Sequence, residues 1–200
     1  MKILVINPGG TSTKIAVFED EKELFKENIT HTGEDLKGFP HVFDQFGYRK
    51  DIILETLKKA GFEIRTFAAV AGRGGLMNPI PGGTYTVNSR MVEDLRGAIH
   101  GEHPSNLGAV LAKEIGDEIG ASSFVVDPVS VDELMPKARI SGISDLERPS
   151  WFHALNHKAV ARWAAERIGK KYEDCNLIIA HLGSGNSIVA HRKGRMVDGS

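Results

Sequence analysis

Apolar and polar positions sort this chain into short strands and a few amphipathic helices. Ile3-Leu4-Val5-Ile6 is a continuous apolar run, the pattern of a buried strand, and it stops at Asn7-Pro8-Gly9-Gly10. The spacing predicts a second strand over 13–18 and a third over 23–29. No helix fits between them, so they are expected as antiparallel neighbours. Residues 31–48 show no period and are expected to be irregular. A helix is predicted over 51–60, with Ile53, Leu54 and Leu57 on one face and Gly61 as its stop. A buried strand over 67–71 leads into Gly72-Arg73-Gly74-Gly75, and Pro79, Pro81, Gly82 and Gly83 keep the chain irregular as far as 85. A short helix is predicted over 91–99. Ser105 is the expected N-cap of a stronger one that carries Leu107, Val110, Leu111, Ile115 and Ile119 and closes at Gly120. A strand over 123–126 ends at Asp127-Pro128, and 132–150 reads as loop with short pieces of structure. A helix over 152–168 is expected to bury Leu155, Val160, Trp163 and Ile168, and a strand follows over 177–180.

The pattern repeats. Leu177-Ile178-Ile179-Ala180-His181-Leu182-Gly183 echoes Ile3-Leu4-Val5-Ile6-Asn7-Pro8-Gly9, and Ser187-Ile188-Val189-Ala190 echoes Lys14-Ile15-Ala16-Val17. Each copy is a strand, a Gly-rich turn with hydroxyls and a second strand. A duplicated domain with a nucleotide held between the copies is the expectation. Residues 1–150 are read as a nearly complete first domain and 151–200 as the opening of a second, incomplete one.

Composition narrows the class. Hydrophobic residues make up 41% and charged residues 26%, a globular mix. Lys plus Arg is 25 against 26 for Asp plus Glu, so no nucleic-acid partner is expected. The single cysteine, Cys175, excludes an internal disulfide, and its acidic neighbours Glu173 and Asp174 make it a poor thiolate. No apolar run approaches the roughly 20 residues of a membrane helix. A cytoplasmic α/β protein is expected.

The common phosphate loops, G-x-x-x-x-G-K-[ST] and G-x-G-x-x-G, are absent. Asn7 to Lys14 offers a different anion site, a turn between antiparallel strands whose N–H groups and hydroxyls face a phosphate, with Lys14 adding charge. Gly183-Ser184-Gly185-Asn186 is its counterpart. Arg73, between glycines at a strand end, is a candidate to grip a carboxylate or phosphate; a surface arginine in a flexible loop is the plainer alternative. Asp127 ends a buried strand, where a carboxylate meets metal-bound water or substrate; a turn-forming Asp before Pro is the plainer alternative. His153 and His157 stand four apart, but Ala154 occupies the place of a metalloprotease glutamate, which speaks against zinc. His157 is expected to be structural, and His103 to line a small pocket. His31, His41, His100 and His191 are expected at the surface or in loops.

These segments together resemble the acetate and butyrate kinase family of the actin, hexokinase and Hsp70-like ATPase superfamily. The resemblance rests on Asn7-Pro8-Gly9-Gly10-Thr11-Ser12-Thr13-Lys14, Gly72-Arg73-Gly74-Gly75-Leu76, Gly101-Glu102-His103-Pro104-Ser105-Asn106-Leu107-Gly108, Val126-Asp127-Pro128-Val129, Ala138-Arg139-Ile140-Ser141-Gly142, Phe152-His153-Ala154-Leu155-Asn156-His157 and His181-Leu182-Gly183-Ser184-Gly185, in family order. Gly72-Arg73-Gly74-Gly75 favours the butyrate branch over the acetate branch.

The resemblance implies a duplicated actin-like (ribonuclease H-like) fold, a mixed sheet flanked by helices, with the second domain incomplete in this chain. It implies ATP-dependent, reversible phosphorylation of a short-chain carboxylate, with butyrate the expected acid, to an acyl phosphate. ATP and Mg²⁺ would be the cofactors, and a homo-oligomer is expected of the full-length protein. By position, Arg73, Asp127 and His153 would be catalytic. Asn7, Ser12, Lys14, His181, Gly183, Ser184 and Gly185 would line the nucleotide, and Asn7 and Asp127 would lie near the metal. Gly10 stands where family members often have Ser, and Ser184 where acetate kinases have Asn. Family chains run well beyond 200 residues, so the isolated chain is expected to be inactive. A sugar kinase of the same superfamily would need Asp127 as a base. An ATP-gated binding module would need no phosphoryl acceptor at all.

Overall fold

A computed structural model describes residues 1–183 and 185–200. The chain divides into two compact units, Met1–Met77 with Thr84–Val126, and Asn78–Gly83 with Asp127–Ser200. The contacts therefore part after Val126, whereas the sequence pattern suggested a boundary at 150.

The first unit is a six-stranded mixed sheet. Its strands are β1 (Lys2–Pro8), β2 (Ser12–Glu19), β3 (Lys22–Thr30), β4 (Ala69–Gly72), β5 (Thr84–Thr86) and β6 (Ser122–Val126), in the order β3-β2-β1-β4-β6-β5. β1 pairs antiparallel with β2 and parallel with β4, and β4 pairs parallel with β6. The helices are α1 (Gly33–Leu36), α2 (Phe46–Lys59), α3 (Ser89–Arg96) and α4 (Asn106–Ile119). Leu4 and Ile6 of β1 and Ile15 and Val17 of β2 alternate onto one sheet face. There they bury against Ile53 and Leu57 of α2 and Leu107, Leu111 and Ile115 of α4. Burying each such side chain is worth about 1.5–3 kcal/mol.

Helix ends differ instructively from expectation. α2 starts at Phe46, five residues before the predicted start, because Phe43 and Phe46 also pack on this core. Gly61 and Gly120 stop their helices with φ of +80° and +70°, as expected. Ser105 does not cap α4 with its side chain. Its φ and ψ are already helical, and its hydroxyl bonds His103 Nδ1 at 2.6 Å.

The second unit holds β7 (Ile140–Ile143), β8 (Leu146–Glu147), α5 (Ala154–Arg167), β9 (Asn176–His181), β10 (Ser187–Arg192) and β11 (Arg195–Gly199). The last three form an antiparallel sheet in the order β11-β10-β9, the same meander as β3-β2-β1. The expected helix is present, but its packed face is not the one predicted. Leu155, Val160, Trp163 and Ile168 are exposed, and the buried positions are Ala154, His157, Lys158, Ala161 and Ala165. Small alanines let α5 lie close against Ile179, Tyr172 and Cys175, which turns the bulkier apolar stripe outward.

The repeat also shows what covering a sheet face does. Leu4 pairs across to Val17 and Ile6 to Ile15. Their counterparts are Ile178 with Ala190 and Ala180 with Ile188. Leu4 is wholly buried, whereas Ile178 is 77% exposed. In the first unit α2 and α4 lie over this face; among the described residues of the second unit no helix covers its equivalent.

Candidate functional site

In the first unit, Asn7 stands directly opposite Lys14 across β1 and β2. Directly opposed side chains share a face, and alternation puts this pair on the face away from the Leu4–Ile6 core. Arg73, one residue beyond β4, donates its backbone N–H to Ile6 O at 2.8 Å. Its Nη1 lies 3.4 Å from Asn7 Oδ1. Asn7 and Arg73 therefore meet at the end of β1.

Glycine is required where β4 runs into this loop. A Cβ on Gly72 would overlap the Gly108 carbonyl, and one on Gly108 would overlap the Arg73 carbonyl, so α4 and the strand end touch backbone to backbone. Asn106 clasps the loop by accepting from Leu76 N at 2.9 Å and donating to Gly101 O at 3.0 Å. His103 Nδ1 accepts from Ser105 N at 3.1 Å. Burial, and then the Arg73 charge, lower the His103 pKa, which keeps the ring neutral.

The Gly-rich turn is closed by Gly9 N donating to Ser12 O at 2.7 Å. Behind it lies Arg49, a residue the sequence did not single out. Its side chain is wholly buried and donates to Thr13 Oγ1 at 2.8 Å and to the carbonyls of Ser12 and Gly10, each at 3.3 Å. Gln45 Oε1 accepts its remaining bonds. Thr13 Oγ1 also meets His31 Nε2 at 2.8 Å. His31, expected at the surface or in a loop, lies in the loop after β3 but is buried, and its pKa is lowered by burial and then by Arg49. An arginine within an amphipathic helix gives no sign of this role by spacing alone.

Neither Arg49 nor Arg73 forms an ion pair among the described residues. Burial lowers the pKa of both, and no carboxylate acts to restore either. Half-buried Arg73, without an acid partner among the described residues, lies with Asn7 and exposed Lys14 on the face away from the core and leaves that face short of negative charge.

In the second unit, Asp127 is 1% exposed and sits at φ 39°, an uncommon value for a non-glycine residue. Oδ1 accepts from Gly83 N at 2.8 Å, and Oδ2 accepts from Arg162 at 3.3 Å. Asp127 is therefore a paired carboxylate. Lys158 and Glu133 form a second buried pair at 2.9 Å, and Glu133 also accepts from the N–H groups of Gly82 and Met196.

His153 and His181 stack with ring centroids 3.8 Å apart and an interplanar angle of 9°. Asn156 Nδ2 donates to His181 Nδ1 at 2.9 Å. His181 stands opposite Ser187 across β9 and β10, the same pair of repeat positions that Asn7 and Lys14 occupy in the first unit. Asn186 Oδ1 closes the following turn by accepting from Gly183 N at 3.0 Å. A Cβ on Gly185 would come within 3.3 Å of the His153 ring. Ser184 lies outside the described residues. His191, expected at the surface, is buried against Tyr172, because odd positions of β10 face α5 and its alanines.

The residues expected near the metal, Asn7 and Asp127, belong to the first and the second unit respectively. The Asn7 amide oxygen faces the Arg73 cation, and both Asp127 oxygens are engaged. Among the described residues no three His, Cys, Asp or Glu side chains cluster for a metal.

The fold is that of the acetate and propionate kinases. An acetate kinase of Porphyromonas gingivalis superposes with a TM-score of 0.71 at 18% identity, covering 100% of this chain and 57% of that one. A propionate kinase of Francisella tularensis gives 0.67 at 19%, covering 100% and 56%. Residues 146–200 match the Acetokinase family profile. The chain is a homologue of butyrate kinases. It is 53% identical over 197 residues to a probable butyrate kinase of Clostridium botulinum and 51% identical to butyrate kinase 1 of Clostridium acetobutylicum. Each match covers 98% of this chain and 56% of the relative, so the chain spans a little over half the length of those relatives.

Proposed function

We propose that this chain is part of an ATP-dependent carboxylate kinase that phosphorylates a short-chain acid, butyrate foremost, to an acyl phosphate. The observation that carries the reading is half-buried Arg73, without an acid partner among the described residues, beside Asn7 and exposed Lys14 at the Gly-rich turn. Such a face attracts anions, and a transfer between a carboxylate and ATP brings two of them together. The named relatives agree with it.

A carboxylic acid of ordinary pKa, about 4–5, is already ionised at pH 7, so the nucleophile needs no base. What it needs is relief from repulsion. In this reading Arg73 holds the acid's carboxylate, and Lys14 with the N–H groups of residues 9–12 holds phosphate. His153 gives a hydrogen bond to the transferring phosphoryl group, and His181, Gly183, Ser184 and Gly185 border the nucleotide. The attacking carboxylate oxygen forms a bond to the γ-phosphorus as the bond to the ADP oxygen breaks, and no proton moves. Asp127, held by Gly83 and Arg162, is not placed to take a proton, which disfavours a sugar kinase. Mg²⁺ would enter with ATP as its counter-ion.

The test is acyl phosphate trapped as the hydroxamate, using the longest natural product of this gene with ATP, Mg²⁺ and acids of two to five carbons. Acid-dependent product that is greatest at four carbons is expected. ATP binding with no product from any acid would overturn the reading in favour of a binding module.

A further inference from the structure

Buried polar side chains of the second unit join into a chain that ends at His153. Tyr172 OH lies 2.6 Å from His191 Nδ1. The His191 and His157 rings pack with centroids 5.7 Å apart. His157 Nε2 lies 2.8 Å from Ser187 Oγ, and the same oxygen lies 2.9 Å from His153 Nδ1. Tyr172, His191, His157 and Ser187 are all buried.

Proton counting, with the cost of burying N–H groups that have no acceptor, favours one direction. Burial, and then Glu133, push the Tyr172 phenol above its ordinary pKa, so it keeps its proton. Its hydroxyl has His191 Nδ1 as its hydrogen-bond partner, so it donates there. Burial is the main cause that lowers His191 and His157 to about 4 each, so each ring is neutral with one N–H and one lone pair. With Nδ1 accepting, the His191 proton sits on Nε2. His191 Nε2 and His157 Nδ1 are the two buried side-chain atoms left without a partner among the described residues, and they belong to adjacent rings. No hydrogen bond joins them, but a lone pair on His157 Nδ1 leaves one N–H and one lone pair in the adjacent rings, where the other tautomer would leave two buried N–H groups without acceptors. The His157 proton is then on Nε2 and is donated to Ser187. Ser187 has one hydroxyl proton and has already accepted, so it donates to His153 Nδ1.

We propose that Tyr172, His191, His157 and Ser187 fix His153 as the Nε2–H tautomer, so that this imidazole meets its ligand as a hydrogen-bond donor rather than as a base. His157 and Ser187 are thus positioning residues. Only the identity of that ligand, a phosphoryl oxygen, rests on the kinase reading.

The experiment is a long-range ¹H–¹⁵N correlation spectrum of the 200-residue chain with labelled histidine at neutral pH. His153→Gln and His157→Gln assign the signals. His153 and His157 are expected to show single Nε2–H tautomers. Ser187→Ala, which removes only the hydroxyl, is expected to release His153 into tautomer exchange while the backbone spectrum is kept. A proton on Nδ1 of His153 or His157 overturns the proposal, as does a His153 signal unchanged in Ser187→Ala. Should that variant not fold, the unsubstituted spectrum decides alone. The measurement uses no substrate, so a failed kinase assay leaves it standing, and its own failure leaves the kinase assay untouched.

Discussion

Arg49 donates from Nη1 to Thr13 Oγ1 at 2.8 Å, placing a buried guanidinium behind the turn that joins β1 to β2. The bonds to Gly10 O and Ser12 O extend that grip along the turn. Arg49→Met would strand these acceptors without a donor. A loss of about 2–3 kcal/mol is expected, read as a lower urea midpoint. A loss below about 0.5 kcal/mol would show that the turn holds itself.

Arg73 is expected to behave in the opposite way. It has one long hydrogen bond and no ion pair among the described residues, so Arg73→Ala should leave the melting temperature unchanged or raised. In the longer gene product the same substitution should cost on the order of 10²–10³ in kcat/KM with the carboxylate substrate. Less than a fivefold drop would remove Arg73 from its proposed role.

The buried pair of Lys158 and Glu133 makes a third test. Lys158→Met alone leaves Glu133 charged and unpaired, at a cost of about 3–5 kcal/mol. Adding Glu133→Gln removes the charge and keeps an acceptor for one of the two N–H groups, Gly82 or Met196, that bond its separate oxygens. The double variant should recover more than half of the loss, as measured by a double-mutant cycle in denaturant.

His157 and His191 give a pH dependence whose sign is set by burial. Each is lowered to about 4 in the folded chain, against an ordinary value near 6.5. Below about 6.5 the unfolded chain takes up protons that the folded chain refuses, so stability is full above that pH and falls as pH drops toward 4. Denaturation midpoints from pH 7.5 to 4.5 should decline. His157→Gln with His191→Gln should flatten that decline at some cost in stability at pH 7.5.

The outward face of β9 and β10 should be sticky. Ile178 and Ile188 stand exposed there beside Ala180 and Ala190, so the 200-residue chain is expected to bind an apolar dye. Ile178→Lys with Ile188→Lys should abolish most of that binding with little change in the far-ultraviolet circular dichroism. Unchanged dye binding would place the sticky surface elsewhere.

Strands, turns and their repetition were legible in the sequence because they are local. Apolar runs bounded by Gly and Pro announce strands wherever they fold, and Gly61 and Gly120 announce helix stops through the left-handed backbone that only glycine adopts readily. The motif residues Asn7, Lys14 and Arg73 were legible for the same reason, each tied to a strand end. Which face of α5 packs was not legible. Its period marks out Leu155, Val160, Trp163 and Ile168, but close approach to the sheet selects the alanines instead. Nor could spacing reveal that Arg49, His31, Lys158 and His191 are buried. A polar side chain is buried only where a partner from a distant segment meets it, as Thr13 meets Arg49 and Glu133 meets Lys158. The sequence by itself determined where chain direction and backbone freedom change. Tertiary structure alone decided which polar groups leave water, because that choice depends on partners brought together only when the chain has folded.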